Sequence, residues 1–302
     1  MAARGSGYVP PSPTRDNVRR SVIAGSWYPG DPKRLRAMIA GFLDNVPQQP
    51  LDGELVGLIA PHAGYMYSGQ VAAHAYAQLR DYVPGSPRQG YAFSKVVVVS
   101  PVHRMYPGRF AVTDKAYYET PLGLAPVDAE LVQAIERRVN LSRVSQDMEH
   151  SLEIQLPFLQ DVLGDFALAP IMMGEQDWDS AVELGQALAE AIEGEAAVLG
   201  ARDRVLLVAS TDLSHFHRYQ VAVQLDQMVL DRITAYDAEG LARTLSAHKA
   251  EACGGGPVLA IMVAAEKLGA NHSVLLKYMN SGDVTGDRSS VVGYAAAALL
   301  RS

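Results

Sequence analysis

Short apolar runs alternate along the chain with longer stretches in which apolar residues return at every third or fourth position. The runs Leu55–Ala60, Lys95–Ser100, Ala167–Met172, Val205–Ser210, Val274–Tyr278 and Val291–Ala295 read as strands. Pro32–Leu43, Ser68–Leu79, Asp128–Val139, Ser151–Val162, Ala181–Ile192, Gln220–Ala235, Ala238–Ala247 and Val258–Leu268 carry the helical spacing. Val96–Val99 is apolar at every position, which suits a central strand covered on both faces. Together these elements predict a single α/β domain with a central, mostly parallel or mixed sheet flanked by helices. Residues 1–20 are polar and interrupted by proline, so they read as a flexible arm before a domain spanning residues 21–302.

Charge narrows the function classes. The balance of 26 Lys and Arg against 33 Asp and Glu gives −7, without the basic surplus that phosphate backbones demand, which argues against nucleic acid as a partner. No apolar run is long enough to cross a bilayer, and the first twenty residues lack a hydrophobic signal core, so the expectation is a cytoplasmic protein that does not engage membranes. Cys253 is the single cysteine and forms no internal disulfide.

In open α/β sheets, ligands bind beyond the carboxyl ends of the strands. Three strand ends carry residues of ligand type: GLIAPHAGY presents His62, VVVVSPVHR presents His103, and VLLVASTDLSHFH presents Asp212 and His215. Pro61 and Pro101 stop their strands and turn the following residues out of the sheet. Cys253 precedes three glycines and Pro257 at a helix start, where a thiolate is favoured; the competing reading is a small buried hydrophobe. Two imidazoles and a thiolate or carboxylate make a three-ligand site with open positions for iron, copper or zinc. Asp147, Glu149 and His150 in DMEHSLEIQLPF sit at a helix start, where they either orient a neighbouring histidine or cap the helix. Trp27, Tyr28, Tyr65 and Tyr67 lie in glycine-containing loops, as pocket-lining aromatics or as staples for those loops. His74, His217, His248 and His272 read as structural or solvent-exposed, the last two without partners.

The stretches AGSWYP, APHAGYMYSG, EHSLEIQLPF, STDLSH, ACGGGP and SSVVGYAAAAL resemble the Memo family, whose bacterial members are called AmmeMemoRadiSam system protein B; the similarity runs from about Ser21 to the C-terminus. The resemblance implies a fold similar to class III extradiol dioxygenases, non-haem iron enzymes that open catechol rings. It implies His62 and His103 as metal ligands, Cys253 where those enzymes place a carboxylate ligand, His215 as the acid/base histidine, and Asp212 in the same pocket. A thiolate in the carboxylate's place shifts preference toward copper(I) or zinc and puts ring cleavage in doubt. Three functions compete: an iron- or copper-dependent redox enzyme; a metal-binding or peptide-binding adaptor working with AMMECR-type and radical-SAM partners; and a metal-independent hydrolase with Cys253 as nucleophile and His215 as base.

Overall fold

The all-valine run Val96–Val99 lies inside a strand, Phe93–Pro101, in which every residue but Ser94 is buried. The structure, a computed structural model, describes residues 10–83, 86, 92–199 and 204–302. In chain order its elements are β1 (Val18–Arg19), α1 (Pro32–Asp44), β2 (Glu54–Ala60), α2 (Tyr65–Ala77), β3 (Phe93–Pro101), β4 (Phe110–Thr113), β5 (Tyr117–Thr120), β6 (Gly123–Pro126), α3 (Ala129–Glu136), β7 (Ser142–Val144) and α4 (His150–Glu153). There follow α5 (Leu156–Leu163), β8 (Ala167–Met173), α6 (Trp178–Leu199), β9 (Arg204–Ser210), β10 (His215–His217), α7 (Tyr219–Thr234), α8 (Ala238–Ser246), α9 (Gly255–Lys267), β11 (His272–Asn280), α10 (Ser281–Thr285) and β12 (Val291–Arg301).

Among the described residues the main sheet runs β10-β12-β2-β9-β3-β8-β4-β7, with β11 also paired to β12. Its centre, β2-β9-β3-β8, is parallel. The flanking strands β12 and β4 are antiparallel to their inner neighbours, so the sheet is mixed. Parallel strands need covered faces. Here α9 packs on β9, β3 and β2 and against α6, while α2 packs on β12, β11 and β2 and against α1 and α5.

Local chemistry explains several boundaries. Asp31 accepts the Arg34 N–H at 2.8 Å and Pro32 opens α1, the residue types favoured at those positions. The stretch Ser151–Val162, expected as one helix, is two pieces, α4 and α5, with Pro157 in the first turn of α5, where its missing N–H costs nothing. The two-to-four-residue strands β1, β4–β7 and β10 escaped the sequence reading, being too short to show a period.

Val18 and Arg19 fall inside the stretch read as a flexible arm, yet they pair in parallel with β5 and are buried, so ordered structure begins before Ser21. Residues 1–9 of that arm lie outside the described residues. Arg19 is held by charge. Its guanidinium pairs with Glu153 and lies 3.4 Å from Asp147, its Nη2 donates to the Glu149 carbonyl at 2.5 Å, and both carboxylates are buried. No helix among the described residues is long and apolar enough to cross a membrane.

Candidate metal centre

The strand order puts the ends of β2, β9 and β3 side by side, so the loops that follow them meet over one edge of the sheet. His62 follows β2, His103 follows β3, and Asp212 follows β9. The third imidazole comes from His150, the first residue of α4, which packs on β3. Ring centroids are 5.2 Å apart for His62 and His103, 5.7 Å for His62 and His150, and 4.7 Å for His103 and His150. One nitrogen from each ring lies within 4.8 Å of the other two, an arrangement that can hold a metal ion.

The hydrogen bonds behind the rings decide which nitrogen is offered. Ser210 Oγ donates to the Ser151 carbonyl at 2.6 Å and accepts from Gln155 Nε2 at 2.7 Å. Its proton is thereby committed, so His62 Nδ1, 3.0 Å from the same oxygen, must be the donor and Nε2 carries the lone pair. Glu149 sets His103 in the same way: Oε1 accepts from Nδ1 at 3.0 Å and Oε2 accepts the His103 backbone N–H at 2.6 Å. His150 Nδ1 lies 3.0 Å from Glu149 Oε1, an ion-pair distance, but outside hydrogen-bond geometry, so this buried ring nitrogen has no hydrogen-bond partner. Carboxylates and hydroxyls placed behind imidazoles in this manner fix the tautomer of metal-binding histidines.

Burial would raise the Glu149 carboxyl, but the rings of His103 and His150 and the His103 N–H outweigh it and hold it well below the usual carboxylate range. His62 is shifted down as well, and for a base that means loss of charge. Its burial, followed by the proximity of His103 and His150, depresses its pKa and keeps the ring neutral, the form that ligates. Glu149 also accepts the backbone N–H groups of His150 and Ser151, so it caps α4 and orients a histidine at once.

Cys253 Sγ lies 3.0 Å from His62 Nε2, and its Sγ accepts the Asp212 N–H at 3.3 Å. It is a neighbour of His62, outside the group whose ligand atoms are mutually within 4.8 Å. Burial, then the charge of Asp212, pushes its thiol upward, so it stays protonated until something displaces the proton. The position depends on glycine: a Cβ at Gly254 would overlap the Ser210 carbonyl, so only glycine lets the α9 start approach the end of β9. Asp212 Oδ1 accepts the His62 and Ala63 N–H groups at 2.8 and 3.3 Å, and burial pushes its carboxyl up to about 7. His215, in β10 opposite Val292, lines the same cavity, and burial lowers its pKa.

The cavity has a volume of about 640 Å³ and includes His62, His103, His150, Asp212 and His215 in its walls. A model of the family described as Memo-like protein matches residues 19–298. The chain belongs to the Memo family. It is 38% identical over 288 residues to a MEMO1 family protein of Methanothermobacter thermautotrophicus, covering 92% of this chain and 99% of the relative. A MEMO1 family protein of Methanopyrus kandleri is 37% identical over 297 residues, covering 94% and 99%. The crystal structure of uncharacterized protein JW3007 from Escherichia coli K12 shares the fold at 15% identity and a TM-score of 0.51, covering 81% of this chain and 99% of that one.

In this Memo-family chain four of the five residues singled out from the sequence, His62, His103, Asp212 and His215, line the cavity and Cys253 sits behind His62, while His150 and Glu149 complete the constellation. Trp27 belongs to it too, its ring centroid 4.3 Å from that of His150, and Tyr67 lines the cavity. Tyr28 and Tyr65 are buried and pack on each other instead. Of the remaining histidines, His217 pairs with Glu251 at 2.9 Å and His74 is buried on α2. His272, expected without partners, sits 2.9 Å from both Asn271 Oδ1 and the Asp52 carbonyl.

Proposed function

We propose that this Memo-family chain is a metal-dependent protein that binds iron or copper through His62, His103 and His150, with Cys253 able to join them, and acts on a small molecule held in the cavity above. The observation that carries the reading is the convergence of three imidazoles within ligand distance, two of them fixed by Ser210 and Glu149 so that Nε2 faces the centre. The metal supplies Lewis-acid and redox chemistry. Cys253, soft and polarizable, favours copper or zinc over a hard cation. The resemblance to class III extradiol dioxygenases read from the sequence supports an aromatic substrate.

The chain's own groups then divide the work. Asp212, with its carboxyl near neutrality, accepts or releases a proton at Oδ2, the oxygen that the His62 and Ala63 N–H groups leave open. His215, kept neutral by burial, serves as the second proton carrier in the cavity wall. His62 and Asp212 are buried, which withdraws the inner end of the cavity from bulk water.

Elemental analysis of anaerobically purified protein tests the reading. Wild type is expected to carry close to one metal per chain, and His62→Ala, His103→Ala and His150→Ala to lose it. Unchanged stoichiometry in these variants would sink the proposal. Metal bound without turnover of any aromatic substrate would favour the adaptor role beside AMMECR-type and radical-SAM partners.

A further inference from the structure

The inner and outer parts of the cavity differ in chemistry. Inside lie buried imidazoles and Asp212; at the rim stand Trp27, Met66, Tyr67 and Phe216, the latter three exposed. Exposed apolar groups gathered at a concave site mark a ligand surface more than a packing accident. Phe216 makes the point sharply. It is 75% exposed and has a φ of 63°, so a bulky ring is held outward on left-handed backbone, between two histidines. Both choices are unfavourable for phenylalanine, and such outliers cluster where a ligand is clamped.

Charge along the walls has one sign. Among the described residues neither lysine nor arginine lines the cavity; besides Asp212 inside, the formal charge is Asp287 at the exposed rim, beside the hydroxyls of Ser281, Thr285 and Ser290. Ser289 donates its N–H and its hydroxyl to Asp287 Oδ1, at 2.9 and 2.7 Å, so Oδ2 is the oxygen left for a ligand. The neighbouring cation is turned elsewhere: the Arg288 guanidinium lies 4.5 Å above the Tyr219 ring. A ligand with an anionic outer end would face a carboxylate without a compensating cation.

From these walls we infer that the cavity takes a flat aromatic ligand that lies against Trp27, Tyr67 and Phe216 and carries an amine at its outward end, paired with Asp287. This deepens the reading of the site given above by naming the ligand class, but it rests on Trp27, Tyr67, Phe216 and Asp287, none of which is among the three clustered imidazoles. Phe216 sets affinity for the ring and Asp287 sets the preferred charge.

The chain has two tryptophans, and Trp178 lies outside this cavity, so Trp178→Phe leaves Trp27 as a single fluorescent reporter. In that background, fluorescence titrations compare tyramine with 4-hydroxyphenylacetate, which share a phenol ring and differ in the sign of the terminal charge. Each titration is run on chelator-treated and on copper-loaded protein, with metal content measured in the same samples. Tyramine is expected to half-saturate at about a tenfold lower concentration, the effect of reversing one charge at short range in a solvated setting. Asp287→Asn is expected to bring the ratio close to one by weakening tyramine, and Phe216→Ala to weaken both probes severalfold while leaving the ratio alone. Both side chains are exposed, so these variants should melt with the parent.

An acid that binds as tightly as the amine in either sample overturns the inference, as does a ratio indifferent to Asp287→Asn or binding of neither probe. Amine preference in protein that takes up no metal leaves this inference standing and removes the metal reading. Metal uptake without amine preference does the reverse.

Discussion

Replacing Arg19 by methionine should destabilise the chain through charge. Methionine keeps much of the side-chain length and removes the guanidinium, leaving Glu153 and Asp147 buried without their cation. Breaking a buried ion pair from one side costs about 3–5 kcal/mol. The low end applies here, because Glu153 keeps the Tyr28 hydroxyl at 2.6 Å, the Ser21 hydroxyl at 2.5 Å and the Val22 N–H at 3.0 Å, and Asp147 keeps the Tyr118 hydroxyl at 2.5 Å. With an unfolding entropy of about 2 cal/mol/K per residue, a loss of about 3 kcal/mol lowers the Tm of a chain this size by about 5 °C. The assay is equilibrium denaturation of chelator-treated protein for Arg19→Met, Glu153→Gln and the double variant. If the cost is an uncompensated charge, the double variant is more stable than additivity allows, with a coupling of about 2 kcal/mol. An Arg19→Met variant within about 0.5 kcal/mol of wild type, the range of ordinary surface changes, or strictly additive losses, would refute the reasoning.

Three further outcomes follow from the site. Glu149→Gln frees His103 from its carboxylate and is expected to weaken metal binding by about 10–100-fold in competition with a chelator, with little change in overall fold. Asp212, whose folded pKa of about 7 stands above the ordinary 3.8, favours folding while protonated; its contribution is complete below pH 4 and lost as pH rises through 7. Metal-free wild type should therefore lose on the order of 4 kcal/mol of stability from this group between those limits, a slope that Asp212→Asn removes in denaturation curves taken at several pH values. Gly293→Ala places a methyl where it overlaps the Asp226 carboxylate, which is buried and holds the Ser214 N–H and the Tyr278 hydroxyl, so a loss of about 1–3 kcal/mol is expected by thermal melting.

What could be read from the sequence was what depends on neighbours along the chain. Val96–Val99 announced a central strand because four consecutive apolar residues need cover on both sides, and Pro61 and Pro101 announced strand ends because proline cannot continue the ladder. That is why His62, His103 and Asp212 could be grouped beforehand. For Glu149 and His150 the sequence left two roles open, capping a helix or orienting a histidine; that both hold, and that the oriented ring is His103, depends on α4 lying against β3, a contact across the fold that local spacing does not encode. Arg19 was hidden for the same reason. Its surroundings in sequence are polar and proline-rich, and its partners are 128 and 134 positions away, at Asp147 and Glu153.

The distances along the chain between site partners carry a consequence for how the centre comes into being. His62 meets Asp212 across 150 positions and Cys253 across 191. No fragment of a few dozen residues contains the assembly, and an unfolded chain offers its groups only as scattered, independent donors. Whatever binds at the cluster therefore binds the folded ensemble alone, and its free energy is added to the cooperative unfolding of the whole molecule; a ligand at about 100 times its Kd contributes about 2.7 kcal/mol. Melting temperature thus becomes a reporter for the unknown occupant, and a panel of metals and aromatic amines can be ranked by heating alone.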